Sequence, residues 1–450
     1  MHTDTKVAHE NKEITIWDAK NRLISPDPLR PGDPLFVETA LARESFSLRR
    51  LYRELNIDNQ GIAHTPPRKQ YILFTGHRGC GKSTELFQAT AYLHHPDRYY
   101  VIHLDCLEQL DSNNLQYADV LWALVARLLE QLEREHSVVV GQNVLAPLEN
   151  WCKERLEASP LLERYADEIK QLDPRIQPEE HSWLVRVLGK LTSNIKTGAT
   201  YRDELRLAVR NNYSEFVAAF NLLILGSEEK LQEAGKGQRI LFTVDGTDRL
   251  PREDAAQFFG EDIQLLTRIK SLFVCCAPLH LFHQDKILHT GLSEPVRLPL
   301  LKIRDRDGED VLENMAVMRE MALRRVPEQF FDELGTVDYL VRYSGGHPRD
   351  LLRLLNVAIS YADEDCIDRD AAEKAVKQVA NEYRRFINDS DYSRLVQIDL
   401  HPDAPDDFTD EKSHELLDNL ALLEYGNYFW KSHPLITSLP GYEKAFQMTR

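Results

Sequence analysis

Cysteine is scarce and unpaired in pattern: the six residues at 80, 106, 152, 275, 276 and 366 form no C-x-x-C pair and follow no regular spacing. That argues against a disulfide frame and fits reduced thiols in a cytoplasmic protein. No apolar run approaches the ~20 residues a bilayer-spanning helix needs, so no membrane segment is expected. The opening MHTDTKVAHENKEITIWDAK is polar and mixed in charge, unlike a secretory signal. Basic residues are in deficit, 55 Lys and Arg against 72 Asp and Glu, for a net charge of −17. The deficit argues against a surface-wide platform for nucleic acid or anionic membrane, while allowing a local basic patch. His280 and His283 are spaced to share a helix face, but no third metal ligand is near them, and they read as surface or packing histidines. What is left is ordinary globular material, 42% hydrophobic and 28% charged. Its 450 residues exceed what one core serves, so two or three domains are expected.

The strongest local signal is Tyr71 to Leu86, YILFTGHRGCGKSTEL, which matches G-x-x-x-x-G-K-[ST] with Gly76, Gly81, Lys82 and Ser83 in the defining positions. An apolar β-favouring run precedes it and a helix-forming stretch follows, giving the strand, turn, helix order that a phosphate-cradling P-loop requires. Glycines let backbone N–H groups approach a phosphate, and the following helix's N-terminus adds partial positive charge. The cradle is therefore Gly76, His77, Arg78, Gly79, Cys80, Gly81, Lys82, Ser83 and Thr84, with Lys82 as the mobile charge and the Ser83 hydroxyl as the Mg²⁺ ligand. Arg239 to Asp245, RILFTVD, is an apolar run ending in an acid. Such a carboxylate, at the end of a core strand beside the P-loop, reaches the metal shell, and Asp248 after the Gly246-Thr247 turn is placed to polarise an attacking water.

The spacing predicts further buried strands over Tyr99–Cys106, Ser271–Ala277 and Pro295–Leu300. With helices between them this is an α/β fold with a parallel sheet covered on both faces. A helix is expected over Pro34–Leu55. The long stretch between Cys106 and Gly237 reads as helical, with helices over Leu115–Glu135, Trp151–Leu172, Ser182–Leu191 and Tyr201–Leu225. After Leu301 come four helical patterns, Gly308–Arg325, Glu328–Tyr343, Asp350–Tyr361 and Asp368–Phe386. The turn SGGHPRD at 344–350 puts Arg349 in a helix's first turn, where the dipole favours anions, so a nearby phosphate or acid would explain it. A helix over Thr409–Glu424 followed by a short hairpin suggests a small winged-helix tail. The expected division is a leader over 1–33, a P-loop ATPase domain over 34–300 with a helical insertion at 107–200, a helical lid over 301–386 and a winged-helix-like domain over 387–450.

GHRGCGKST, FTVDGTDRL and SGGHPRDLLRLL, in that order and followed by the winged-helix-like tail, resemble the AAA+ and STAND groups of P-loop ATPases. DGTDRL is similar to the NACHT-type second acidic motif, which implies Asp245 for Mg²⁺ and Asp248 for hydrolysis. SGGHPRD resembles the G-x-P or sensor-2 element of an origin-recognition-like helical lid, which implies Gly346, His347 and Pro348 close to the nucleotide and Arg349 as the phosphate sensor. Catalytic roles therefore fall to Lys82, Asp248 and Arg349, and ATP and Mg²⁺ are the implied cofactors. Gly246 stands where many AAA+ proteins carry a second, adjacent acid, which implies slow hydrolysis. Cys276, Pro278 and His280 are the sensor-1 candidates, and Arg268 and Arg297 the arginine-finger candidates. The resemblance implies an ATP-driven switch in a cytoplasmic protein, controlling a homo-oligomer or a separate effector, of the kind used in bacterial signalling and phage defence. The alternative is a DNA-associated ATPase like origin-recognition or transposition regulators, a partner that the net charge does not favour.

Overall fold

The computed structural model describes residues 14–24, 27–43, 47–111, 114–135, 138–158, 188, 199–283, 292–293, 295–402, 410–426 and 429–449. The chain forms two compact units. One comprises Glu44–Pro299 with Thr409–Leu420, and the other Met1–Arg43, Leu300–Phe408 and Ala421–Arg450.

The first unit is built on five strands: β1 (Gln70–Thr75), β2 (Tyr99–Asp105), β3 (Arg239–Asp245), β4 (Leu272–Ala277) and β5 (Val296–Arg297). All pairings are parallel, in the order β2-β3-β4-β1-β5. The strands read as nearly continuous apolar runs because both faces are covered. Alternate residues Leu73, Ile102, Phe242 and Phe273 enter a core with the helices that connect β2 to β3. On the opposite face Thr243 of β3 meets Thr90, a residue of the helix that follows β1. That alternation is the period-two geometry of a pleated sheet.

Helices are numbered along the chain. In the first 160 residues they are α1 (Ile16–Ile24), α2 (Ser47–Glu54), α3 (Lys82–Leu93), α4 (Cys106–Gln109), α5 (Tyr117–Arg134) and α6 (Gln142–Ala158). Next come α7 (Ala199–Asn211) and α8 (Tyr213–Glu233), then two short helices beyond β3, α9 (Arg252–Ala256) and α10 (Ile263–Leu266). The described residues of the block between β2 and β3 are mostly helical, and Trp122 of α5, Trp151 of α6 and Phe216 of α8 pack as one aromatic cluster in the core of the sheet unit. Arg206 of α7 is buried against Asp119 of α5, with Nε 2.9 Å from Oδ1, and the same carboxylate closes a capping box at the start of α5. The predicted helices within 159–187 and 189–191 lie outside the described residues, as do residues 1–13 of the leader.

In the second unit are α11 (Leu312–Leu323), α12 (Leu334–Tyr343), α13 (Pro348–Tyr361), α14 (Arg369–Tyr383), α15 (Asp389–Leu400), the antiparallel hairpin β6 (Leu422–Tyr425) and β7 (Phe429–Ser432), α17 (Pro434–Thr437) and α18 (Pro440–Thr449). α16 (Glu411–Asp418) belongs to the sheet unit. Three expectations need correction. Residues 34–43 form turns and irregular chain rather than the start of a helix, because the Asp33 carboxylate takes the Leu35 N–H at 2.8 Å, and among the described residues of the expected span only Ser47–Glu54 is helical. The span Tyr201–Leu225 is two helices, broken at Asn212, whose ψ of 33° leaves the helical region. The helix expected to reach Glu424 stops at Asp418, Leu420 turns left-handed at φ 60°, and residues 422–425 are strand β6. Neither α1 nor α15 was anticipated.

Candidate functional site

All five strands point the same way, so their carboxyl ends form one edge, and in such sheets ligands bind outside that edge. The loop leaving β1 is the P-loop. A Cβ on Gly76 would come within 2.5 Å of the Leu298 carbonyl oxygen, so only glycine fits there. Gly81, at φ 102°, caps α3 and has no side chain of its own to compete for the first-turn N–H groups. His77 and Cys80 are buried, Arg78 is exposed, and Ser83 and Thr84 are half-buried in the first turn of α3.

Lys82 is buried, and its Nζ donates to the Gly76 carbonyl at 2.9 Å and the His77 carbonyl at 3.1 Å, and pairs with Asp248 Oδ2 at 2.8 Å. Burial pushes the ammonium toward the neutral form, but the Asp248 carboxylate outweighs it and holds the lysine above its ordinary range. The structure thus joins two residues 166 positions apart that the sequence placed in separate roles (82 to 248).

Asp245 ends β3 and is buried, with Oδ1 accepting from the Gly246 N–H at 2.7 Å. β3 is not the neighbour of β1: β4 runs between them. The residue filling that gap is Cys276, fully buried, its thiol pushed well up by burial and further by Asp245 and Asp248. Thr247, which sequence reasoning passed over, is fully buried and donates its hydroxyl to the Cys276 carbonyl, tying the Gly246-Thr247 turn to the end of β4. Its only signal was its place between two acids.

The remaining candidates fall elsewhere. His280 faces Asp418 of α16, Nδ1 to Oδ1 at 3.3 Å, and Arg252 takes the other oxygen of that carboxylate at 3.0 Å. Arg268 lies just before β4, at the amino edge of the sheet, with its guanidinium 5.9 Å from the Tyr213 ring. Arg297 is in β5.

The residues present suit a magnesium nucleotide. Among the described residues no group of three His, Cys, Asp or Glu side chains could cage a metal. Magnesium does not ask for one, since it takes one or two protein oxygens and completes its shell with phosphates and water. Ser83 and Asp245 would supply those two oxygens, and the glycine cradle with Lys82 would face the phosphates.

In the helical unit the SGGHPRD turn is closely packed for a local reason. A Cβ on Gly346 would collide with the Leu301 carbonyl oxygen. His347 caps α13 and Pro348 is its first residue, both buried, while Arg349 is exposed. The His347 ring is turned inward: Nδ1 lies 2.9 Å from Asp350 Oδ2. The same oxygen is met by His433 Nε2 at 3.0 Å and by the Tyr383 hydroxyl at 2.9 Å. The Leu435 N–H donates to His433 Nδ1 at 3.1 Å, so Nε2 carries the proton and donates to Asp350. Burial works against the Asp350 anion, yet the two histidines hold its carboxyl well below the usual range. Sequence reasoning missed this cluster, whose members come from 347, 350, 383 and 433.

No family model matches the chain, and no curated protein matches it. Two solved structures are similar over nearly the whole length. Cdc6p from Pyrobaculum aerophilum is 12% identical, over 95% of this chain and 98% of that one, with a TM-score of 0.38. The Orc1 protein of Aeropyrum pernix, solved in complex with DNA, is 12% identical, over 95% of this chain and 96% of that one, with a TM-score of 0.36.

Proposed function

We propose that the chain is an ATPase of the AAA+ or STAND type, which binds ATP with Mg²⁺ at the P-loop, hydrolyses it slowly and uses the nucleotide to switch oligomerisation or partner binding. The observation that carries this is the buried Lys82 ammonium, held at the carboxyl edge of a parallel sheet by Gly76, His77 and Asp248. A phosphate oxygen can replace any of these acceptors with a charge-assisted bond. Once phosphate takes Lys82, Asp248 is released within three residues of Asp245, in position to orient a water for attack. Ser83 and Asp245 would hold Mg²⁺, which would supply charge neutralisation at the phosphates. Slow turnover follows from Gly246, which leaves Asp248 as the single acid after Asp245, and from the ion pair that must open before Asp248 acts.

Calorimetric titration of the purified chain with a non-hydrolysable ATP analogue tests the binding step. Binding is expected only with magnesium and is expected to vanish in Lys82→Ala; magnesium-independent binding, or a Lys82→Ala variant that binds normally, refutes it. Asp248→Asn is expected to keep the nucleotide and lose at least about 100-fold in turnover, the contribution typical of a positioned base. The sensor role that the resemblance gives Arg349 is a separate proposal: Arg349→Ala should slow turnover without weakening ADP binding. For the switch itself, mass measured by light scattering should differ with and without the analogue, and an unchanged mass sinks an oligomeric output.

A further inference from the structure

Helix α8 has a face that the core does not use. Ala218, Leu222 and Leu225 are exposed on it, with Leu222 at 40% and Leu225 at 54% relative exposure. They line a groove of about 820 Å³ that runs from Ser214 to Gln232. At 1.5 Å per residue those 18 steps make it about 27 Å long, the length of a helix of similar size. The opposite wall is basic: Arg68 just before β1, Arg239 opening β3, and Arg268 and Lys270 just before β4. Arg239 is paired with Glu228, Nε to Oε1 at 2.7 Å. Arg68, Arg268 and Lys270 are exposed and have no carboxylate partner among the described residues, and Glu229 is the one exposed acid on the rim.

On a chain of net charge −17, three exposed cations without a carboxylate partner among the described residues, set beside an apolar stripe, are a local reversal of sign. We infer that this groove is a docking site for an acidic amphipathic helix of a partner protein, its leucine-type anchors on the Ala218–Leu222–Leu225 stripe and its carboxylates facing Arg68, Arg268 and Lys270. Helix-in-groove recognition needs apolar anchors at i, i+3 or i+4 and i+7 on the ligand and a matching stripe on the receptor. The apolar floor favours such a helix over a nucleic acid, whose phosphates would gain nothing from it. Charge complementarity at the rim sets orientation and the rate of encounter. The groove lies at the amino ends of the strands, and strands of six or seven residues put about 20 Å between it and the P-loop edge. Docking there leaves the phosphate cradle open, so the inference does not depend on the ATP proposal.

The test uses the full chain and a fluorescein-labelled 18-residue model peptide, helical, with leucines at i, i+4, i+7 and i+11 and glutamates flanking the stripe. Controls are the same peptide with lysine for glutamate and an 18-base-pair labelled DNA duplex, all read by anisotropy at two salt concentrations. The glutamate peptide is expected to bind at least tenfold more tightly than the lysine peptide. Leu225→Asp should weaken it at least tenfold, and the double variant Arg268→Glu/Lys270→Glu should reverse the preference between the two peptides. Both sites of change are exposed, and magnesium-dependent ATP-analogue binding or an unchanged melting curve verifies that each variant is folded. Equal binding of the two peptides, no effect of Leu225→Asp, or tighter binding of the duplex that the charge-reversal variant abolishes would each overturn the inference.

Discussion

Each unit of the molecule buries, among other charges, one that several partners share, and the two are treated differently. In the sheet unit a cation, Lys82, is met by two backbone carbonyls and by Asp248, whose side chain keeps 10% of its exposure. In the helical unit an anion, Asp350, is met by two imidazoles and a phenol, and the side chains of both histidines are at 0% exposure. The first set of partners stands beside a glycine loop, and on the proposed reading it is exchanged for an incoming anion. The second draws together the start of α13, the end of α14 and the segment after β7, and no outside group can reach it. A buried charge is thus a working part where its partners are replaceable and a fastening where they are sealed.

The contrast breaks if the two charges respond alike. Asp350→Ala should cost about 3–5 kcal/mol, because it leaves two buried imidazoles and a phenol facing no anion; chemical denaturation measures this, and a loss under 1 kcal/mol would reduce the cluster to ordinary packing. Lys82→Ala should do the opposite, lowering affinity for ATP about 100-fold or more while moving the melting temperature little, since Asp248 regains water when its partner goes. The pH dependence separates the two units further. Burial depresses the His433 pKa below the ordinary 6.5, so the folded chain keeps it neutral while the unfolded chain takes up a proton. Stability should therefore fall as pH drops below 6.5 toward the folded value, and His433→Gln should flatten that slope. Asp350 has the same sign in a more acidic window. Its depressed pKa contributes stability that is complete above the ordinary 3.8 and is lost only in strong acid, so it does not account for a slope near neutrality. The smallest effect expected is that of Thr247→Val, about 1–2 kcal/mol for the hydroxyl that bonds the Cys276 carbonyl, with a larger loss of turnover than of ATP affinity.

Features carried by contiguous residues were legible in the sequence. The β1–P-loop–α3 unit, the strand ending at Asp245 and the α13 cap of SGGHPRD all combine a pattern with its chemistry in one window. Where periodicity met a competing local interaction it misled. Leucines and phenylalanines continue at helical spacing through 35–43, but Pro34 and the Asp33 carboxylate set a turn there. The Leu-rich run 416–423 serves a helix and then a strand, and only the left-handed Leu420 divides them. Strand order was not legible, because pairing is decided across the whole sheet, and neither were the contacts from Lys82 to Asp248 or from Asp350 to His433, which join positions far apart in the chain.

β4, standing between β1 and β3, has a further consequence. Adjacent strands are about 4.8 Å apart, so the roots of the P-loop and of Asp245 are separated by about 10 Å, a distance set by the rungs of backbone hydrogen bonds and not by any side chain. A gap fixed in this way acts as a gauge. With β4 and its buried Cys276 filling the interval, that spacing is the same whatever the side chains on either flank do, and on the proposed reading it would fix how far Asp245 starts from Ser83.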